Sequence, residues 1–397
     1  MIFLSEFTLN NLLPTQLVDK ILLHGIQIGA SDVHIEPLND SSLRVRMRID
    51  GTLYDVCNLP SNVAQQIIGR IKVLASIDVA QKRVPQDGAF VFSCPDNECQ
   101  SVDMRVATYP ASLGEKLVVR LLDEANRRHR LSELGLSPKQ FNDITSLLDR
   151  SHGFLLVTGP TGSGKTTTLY AALDYLNGPD KHIVTLEDPV EYHIEGITQA
   201  QINPTAGFTF AKGMRALLRQ DPDVAMVGEI RDSQTARTAV EAALTGHVVL
   251  STLHTNDAVS ALIRLIDMGV EPFLVNAAVS GVIAQRLVRL LCDQCKTFYT
   301  PTKEEEYILQ QYDVADKQLF GPIGCVVCNQ TGFRDRCAIV EFVLITPELQ
   351  ELVRAKASHA SLLEQAYKDG ATSMLHHGMQ LVLSGKLSLS ELLRSIH

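Results

Sequence analysis

No stretch of about 18 consecutive apolar residues occurs in the sequence, so nothing in it reads as a membrane-spanning helix. The first residues, Met1 to Glu6, lack both the basic start and the cleavage site of a secretory signal. These two absences lead us to expect a cytoplasmic protein. An excess of cations is also missing: 36 Lys and Arg stand against 45 Asp and Glu, a formal net charge of −9. That balance argues against wrapping nucleic acid, which needs clustered Lys and Arg to neutralise phosphates. Internal repeats and low-complexity segments are absent, which removes repeat architectures from consideration. What remains is a chain of 397 residues, 45% hydrophobic and 20% charged, the balance of a globular protein with room for two or three domains.

Residues 14–27 are apolar at helical spacing (Leu17, Val18, Ile21, Leu22, Ile26) and predict a helix. Alternating segments follow at 33–36, 43–49 and 52–56, with Asp50-Gly51 as a tight hairpin turn between the last two. A helix over 62–75 and strands near 89–92, 101–107 and 116–122 complete a small α+β domain. Residues 123–130 are polar and charged without apolar periodicity and read as a connection. From Gly153 onward apolar strands (153–158, 182–186, 224–227, 247–251) alternate with helices, which predicts a parallel sheet with crossover helices. After about Leu290 the alternation stops, and amphipathic helices over 347–355 and 361–367 read as a C-terminal appendage.

The run Gly159-Pro160-Thr161-Gly162-Ser163-Gly164-Lys165-Thr166 follows an apolar strand and precedes a helical stretch that opens at Thr167. That is the context a phosphate-binding loop requires. Its glycines let the backbone curl so that N–H groups and the helix N-terminus face phosphate oxygens. Lys165 is then expected on the β- and γ-phosphates and the Thr166 hydroxyl on Mg²⁺. Hydrolysis also needs carboxylates. Glu187, Asp188 and Glu191 cluster after one strand, and Glu229 follows another in the position of a water-activating acid. Open parallel sheets bind ligands at the carboxyl ends of their strands, so both acidic groups are expected on the nucleotide side. His247 and His254 flank a further strand; a histidine beside the γ-phosphate would donate a hydrogen bond and report the nucleotide state, whereas one beside a strand is more often structural.

Eight cysteines in a chain of this length and character do not read as a disulfide scaffold. Cys292, Cys295, Cys325 and Cys328 form two Cys-x-x-Cys knuckles, and four thiolates satisfy tetrahedral Zn²⁺. Cys57, Cys94, Cys99 and Cys337 read as ordinary thiols.

Taken together, the sequence resembles the type II secretion and type IV pilus-assembly motors (GspE and PilB type) of the secretion ATPase superfamily. The matching strings are Ala30-Ser-Asp-Val-His-Ile-Glu36, Arg48-Ile-Asp-Gly51, Pro85-Gln-Asp-Gly88, Arg105-Val106, Gly114-Glu-Lys116, the phosphate loop, the acidic box 187–191, Gly228-Glu-Ile-Arg-Asp232 and the histidine box 245–256. The resemblance implies an α/β fold: a PAS-like α+β domain over 1–122, a linker over 123–135 and a RecA-like P-loop ATPase core over 136–290. A tetracysteine zinc element and C-terminal helices would fill 291–397. It implies a homo-hexameric ATPase that uses ATP and Mg²⁺ and works with an inner-membrane platform protein, associated with that membrane through its partners. Catalysis would rest on Glu229, Glu187, His254 and Lys165, with Arg105 and Arg120 reaching the phosphates from the N-terminal domain. Arg215 and Arg219 match the family's second arginine pair near the nucleotide or subunit interface. In this family the tetracysteine element accompanies assembly and export motors rather than retraction motors. Family members of full length carry a further N-terminal domain that often docks onto the platform; about ten residues precede the first helix here, so the resemblance leaves the docking mode open. A DNA-uptake or DNA-translocating motor of the same superfamily and a nucleotide-dependent scaffold with little turnover are the alternatives.

Overall fold

The segment 43–49 shows why the first part of the chain folds as a sheet. Leu43, Val45, Met47 and Ile49 are buried, while Arg44, Arg46 and Arg48 between them face the other way, the period of a half-buried strand. The computed structural model describes residues 12–93, 101–122, 129–310 and 318–396. Backbone contacts divide it into two compact units. Of the described residues, one holds those up to 122 together with 291–297 and 321–335; the other holds those from 129 to 290, from 298 to 320 and from 336 onward. Part of the expected linker, 123–128, and both Cys94 and Cys99 lie outside the described residues.

In the first unit, β1 (Asp32–Pro37), β2 (Leu43–Ile49), β3 (Thr52–Leu59), β4 (Gln86–Phe92), β5 (Val102–Ala111) and β6 (Gly114–Leu122) form a six-stranded sheet in the order β3-β2-β1-β6-β5-β4. Its pairings are antiparallel. The β2–β3 hairpin closes at Ile49 opposite Thr52, and Asp50 and Gly51 both take positive φ, 48° and 82°, as the two-residue turn demands. Helices Pro14–Gln27 and Ser61–Leu74 supply Leu17, Val18, Ile21, Leu22, Ile67 and Ile71 to the same core as Val33, Ile35, Val45, Met47 and Val119.

The opposite face of that sheet is charged. Glu36 accepts from Arg44 at 3.1 Å and Arg46 at 2.8 Å, and pairs with Lys116 at 2.9 Å. Burial opposes its ionisation, but Arg46 and Lys116 outweigh that and draw the carboxyl down to about 2. Lys72 is fully buried. It donates to Glu115 at 2.8 Å and to the Gln81 carbonyl at 2.6 Å, so the charge it carries into the core is met on two sides.

The second unit is built on β7 (Gly153–Thr158), β8 (Ile183–Glu187), β9 (Thr198–Gln201), β10 (Val224–Val227), β11 (Val248–Leu253) and β12 (Val279–Leu291). A short ribbon pairs β13 (Thr297–Tyr299) with β14 (Leu319–Gly321), and β15 (Phe333–Leu344) joins the main sheet, ordered β15-β12-β7-β11-β10-β8-β9. The pairs β12·β7, β7·β11, β11·β10, β10·β8 and β8·β9 are parallel. The four strands predicted from the apolar pattern coincide with β7, β8, β10 and β11 to within two residues. Because side chains alternate along a strand and both faces are covered, Phe154 and Leu156 enter one core while Leu155 and Val157 enter the other.

Helices Pro347–Arg354, His359–Lys368 and Met374–Leu383 each begin on a side-chain cap, from Thr346, Ser358 and Ser373. The last helix, Leu389–Ile396, carries Glu391, which accepts from Arg289 of β12 at 2.7 Å and from Arg394 at 2.6 Å. No described helix is long and apolar enough to cross a membrane.

Burial opposes the ionisation of Glu391, but Arg394 and Arg289 prevail and hold its carboxyl at about 2, against an ordinary 4.5. A carboxyl depressed in the folded state stabilises fully above its unfolded value and loses that contribution as pH falls through the folded one. Glu391→Gln is therefore expected to be less stable than wild type at neutral pH and to narrow that gap as pH falls from 4.5 towards 2. Denaturant midpoints across this range test it, and a gap independent of pH would refute the linkage.

Candidate active site

Parallel pairing brings the carboxyl ends of β7, β8, β10 and β11 to one edge of the sheet, and the loops that leave them share that edge. Thr158, the last residue of β7, sews its end to the end of β11. Its hydroxyl contacts the Leu253 carbonyl at 3.0 Å and the Thr255 hydroxyl at 2.7 Å, and it accepts from the Thr255 N–H at 2.9 Å.

The loop 159–164 runs from β7 into helix Lys165–Leu176. Gly159, Gly162 and Gly164 adopt φ of 149°, 80° and 87°, conformations that strain a residue with a side chain. At Gly159 space forbids one as well, since a Cβ would lie 2.4 Å from the Gln285 carbonyl oxygen. Pro160, Thr161 and Gly162 are exposed, as is Thr166 on the first turn of the helix, with Thr167 partly buried beside it. Lys165 curls back, its Nζ donating to the carbonyls of Gly159 at 2.8 Å and Pro160 at 2.9 Å. Burial lowers its pKa, and the negative charge of Glu229 acts in the opposite direction. Ser163 Oγ is buried without a hydrogen-bond partner among the described residues.

Sequence reasoning missed Gln285. It lies on β12 one residue past Ala284, which pairs with Thr158, and no motif marks it. Its side chain is 1% exposed; Nε2 donates to the Ser163 carbonyl at 2.8 Å, and Oε1 accepts from the Thr168 hydroxyl at 2.8 Å.

The segment 228–230 is held from both sides. Gly228 N–H donates to the Leu186 carbonyl at 2.8 Å, Thr252 Oγ1 to the Gly228 carbonyl at 2.7 Å, and Ile230 N–H to the Thr252 carbonyl at 3.0 Å. Glu229 is thereby presented at the strand-end edge. One carboxylate oxygen bonds the Arg231 guanidinium, and His254 Nε2 lies 3.5 Å from the other. Arg231 also approaches Asp188 at 3.7 Å. Glu229, Arg231, His254 and Asp188 thus form one polar group, and Arg231 is a member that the acidic motif concealed.

Glu187 is placed elsewhere. It is buried and takes hydrogen bonds from the Tyr170 hydroxyl, from Thr185 at 2.5 Å and from Gln199 at 3.1 Å. Tyr170 belongs to the helix that follows the loop 159–164, so this carboxylate ties that helix to β8. Burial, then Glu187, raise the tyrosine's pKa far above its ordinary value. Asp232 caps helix Ser233–Leu244 through the Thr235 N–H at 2.8 Å, and His247 Nδ1 meets the Ala242 carbonyl at 2.9 Å. Arg215 and Arg219 are exposed at the end of helix Phe210–Leu217, Arg219 donating to the Arg215 carbonyl at 2.7 Å. Arg105 and Arg120 are cross-strand neighbours on β5 and β6 of the first unit, where Arg120 pairs with Asp32 at 3.0 Å.

The four knuckle cysteines converge, their sulfurs all within 4.8 Å of one another. The distances Cys292–Cys325, Cys295–Cys328 and Cys325–Cys328 are 3.9, 3.7 and 3.7 Å. A tetrahedral site with bonds near 2.3 Å would set its sulfurs about 3.8 Å apart. Backbone N–H groups of Gly324, Cys325 and Gly332 point at the sulfurs of Cys295 and Cys328. Burial opposes ionisation of Cys328, yet the Cys325 and Gly332 N–H groups and neighbouring thiols bring it down to about 6. The donor set fits a thiolate-bound metal. Cys57 and Cys337 are by contrast lone thiols that burial pushes up to about 12 and about 11.

Known proteins resemble this chain in sequence and in structure. The family described as type II/IV secretion system protein matches residues 10–394. The type II secretion system protein E of Aeromonas hydrophila is 46% identical over 379 residues, covering 96% of this chain and 75% of its own. The type IV pilus assembly ATPase TfpB of Acinetobacter baylyi is 44% identical over 383 residues, 96% of this chain and 65% of its own. Among solved structures, the ATPase DotB of Legionella pneumophila superposes with a TM-score of 0.70 at 20% identity, over 97% of this chain and 96% of that one; at that identity the likeness concerns the fold.

The buried carboxylate of Glu187 depends on its three donors. Tyr170→Phe removes one while keeping the ring, and an under-satisfied buried carboxylate costs about 1–3 kcal/mol. The denaturant midpoint of Tyr170→Phe is expected to fall accordingly, and an unchanged midpoint would mean that the phenol contributes nothing there.

Proposed function

The chain belongs to the type II/IV secretion system protein family, and on that premise we propose that it is an ATP-driven motor of pilus or pseudopilus assembly or of type II protein secretion. The observation that carries the reading is the single strand-end edge shared by the loop 159–164 and Glu229.

ATP phosphates would occupy the cradle of 159–164, with Lys165 turning from the carbonyls of Gly159 and Pro160 to the β- and γ-phosphates. The buried Ser163 hydroxyl, without a hydrogen-bond partner among the described residues, leaves a polar group in the loop for a ligand to meet. Mg²⁺, when bound, would neutralise phosphate charge, held by the exposed Thr166 hydroxyl. Glu229 would orient or deprotonate the attacking water, with Arg231 and His254 setting its direction. Glu187 would act from behind, through Tyr170 on the loop's own helix. Arg105, Arg120, Arg215 and Arg219 would supply guanidinium groups to the developing charge, within one subunit or from a neighbour.

The domain reading is a PAS-like unit over 1–122, a linker over 123–135, a RecA-like core over 136–290 and a zinc element with helices over 291–397. Nucleotide-dependent rotation of the first against the core would deliver the stroke in a homo-hexamer. The working place would be the cytoplasmic side of the inner membrane, against a platform protein. The cysteine cluster would hold structural Zn²⁺, an element that favours assembly or export over retraction.

Glu229→Gln is expected to lower steady-state phosphate release by at least about a hundredfold while ATP binding is retained, and Lys165→Ala to lose ATP binding. Undiminished hydrolysis by Glu229→Gln would sink the assignment of the water-activating acid. Metal analysis of the purified chain is expected to find one zinc bound per chain, reduced in Cys325→Ser together with the thermal midpoint. Equal zinc content in wild type and variant would place the metal elsewhere.

A further inference from the structure

Gln285 is a buried polar side chain to which no motif and no step of the proposed hydrolysis assigns a role. Both hydrogen bonds of its amide go to the phosphate loop or its helix. Nε2 holds the Ser163 carbonyl and Oε1 takes the Thr168 hydroxyl, each at 2.8 Å. A carbonyl oxygen can only accept, so the bond to Ser163 fixes which end of the amide faces the loop, and Thr168 satisfies the other. One planar group thereby joins the loop before Lys165 to the helix after it.

The consequence for the loop follows from peptide geometry. In a trans peptide the C=O and the next N–H point in opposite directions. Anchoring the Ser163 oxygen on Gln285 therefore turns the Gly164 N–H to the side away from β12. The fit is close on the near side as well. A Cβ on Gly164 would lie 3.2 Å from Gln285 Nε2, and one on Gly159 would lie 2.4 Å from the Gln285 carbonyl oxygen. The backbone and the side chain of one residue thus limit the loop at its first and last glycines.

We propose that Gln285 is a positioning residue for nucleotide binding, one that presets the orientation of the Ser163–Gly164 peptide so that its N–H is ready for a phosphate oxygen. The role rests on the reading that 159–166 hold the phosphates of ATP. Glutamine suits it because one uncharged group supplies a donor to a carbonyl and an acceptor to a hydroxyl. A glutamate would set negative charge against the Ser163 oxygen, and an apolar residue would leave two buried groups unpaired.

The test is ATPase kinetics and ADP titration calorimetry on the full chain. Gln285→Met is expected to raise KM for ATP and the Kd of ADP by roughly three- to tenfold, the equivalent of one lost hydrogen bond, with a smaller change in kcat. Gln285→Glu should exceed it, and Thr168→Val, which removes only the hydroxyl that donates to the amide oxygen, should fall between wild type and Gln285→Met. A core variant remote from the loop, Val353→Ala, controls for stability: it should lower the thermal midpoint without moving KM. Lys165→Ala in the same titration separates the two readings. If Lys165→Ala loses ADP while a folded Gln285→Met keeps KM and Kd within about twofold, the positioning role is wrong. If Lys165→Ala binds ADP like wild type, the assignment of the loop itself fails. Should Gln285→Met not fold, Thr168→Val decides, and an unchanged KM in that variant overturns the proposal.

Discussion

The bond pattern of one threonine hydroxyl underlies the arrangement of the second unit. Thr158 ends β7, and its side chain closes onto Leu253 and Thr255 at the end of β11. With those two strand ends fixed, the glycine loop begins at one and the His254 segment at the other, in parallel register from Gly153–Val248 to Thr158–Leu253. The same logic extends one strand further, where Thr252 of β11 holds the Gly228 carbonyl and sets Glu229 at the edge. Hydroxyls at the ends of parallel strands therefore carry geometry from the buried sheet into the loops that hold the glycine run and Glu229.

Behind that edge the fold accepts several buried polar groups, each met by partners from distant parts of the chain. Glu187 is met by Tyr170, Thr185 and Gln199, Gln285 by Ser163 and Thr168, and Glu391 by Arg289 and Arg394. Unpaired, any of them would cost on the order of 1–3 kcal/mol or more. Paired, they join the helix after the loop 159–164 to β8, the loop to β12, and β12 to the last helix. The loop 159–164 is in this way tied to its surroundings by directional bonds as well as by apolar packing, which by itself is tolerant of small displacements.

Much of this is legible in the order of the amino acids. The alternation in 43–49, the Asp50-Gly51 turn, the apolar strands near 153, 182, 224 and 247 and the paired cysteines are local patterns, and each appears in the fold as an element or a cluster. Other features are not. The acidic string 187–191 suggests carboxylates facing one ligand, but Glu187 ends a strand with its side chain buried among Tyr170, Thr185 and Gln199, while Asp188 approaches Arg231. Adjacent residues at a strand end point to opposite faces, so a run of acids divides between core and edge.

What the sequence alone determined is whatever depends on backbone conformation and short spacing: glycines at 159, 162 and 164 for positive φ, knuckles that offer two thiols each, and strands with the right period. Family membership also follows from sequence, since it is a property of the ordered string over residues 10–394. Tertiary structure alone decided the partner of each polar side chain. Gln285 lies 122 residues from the carbonyl it holds, and Arg289 lies 102 residues from Glu391. Nothing in the local sequence around either end specifies the other, because such bonds are set by which strands become neighbours, and that is fixed by the packing of the whole sheet.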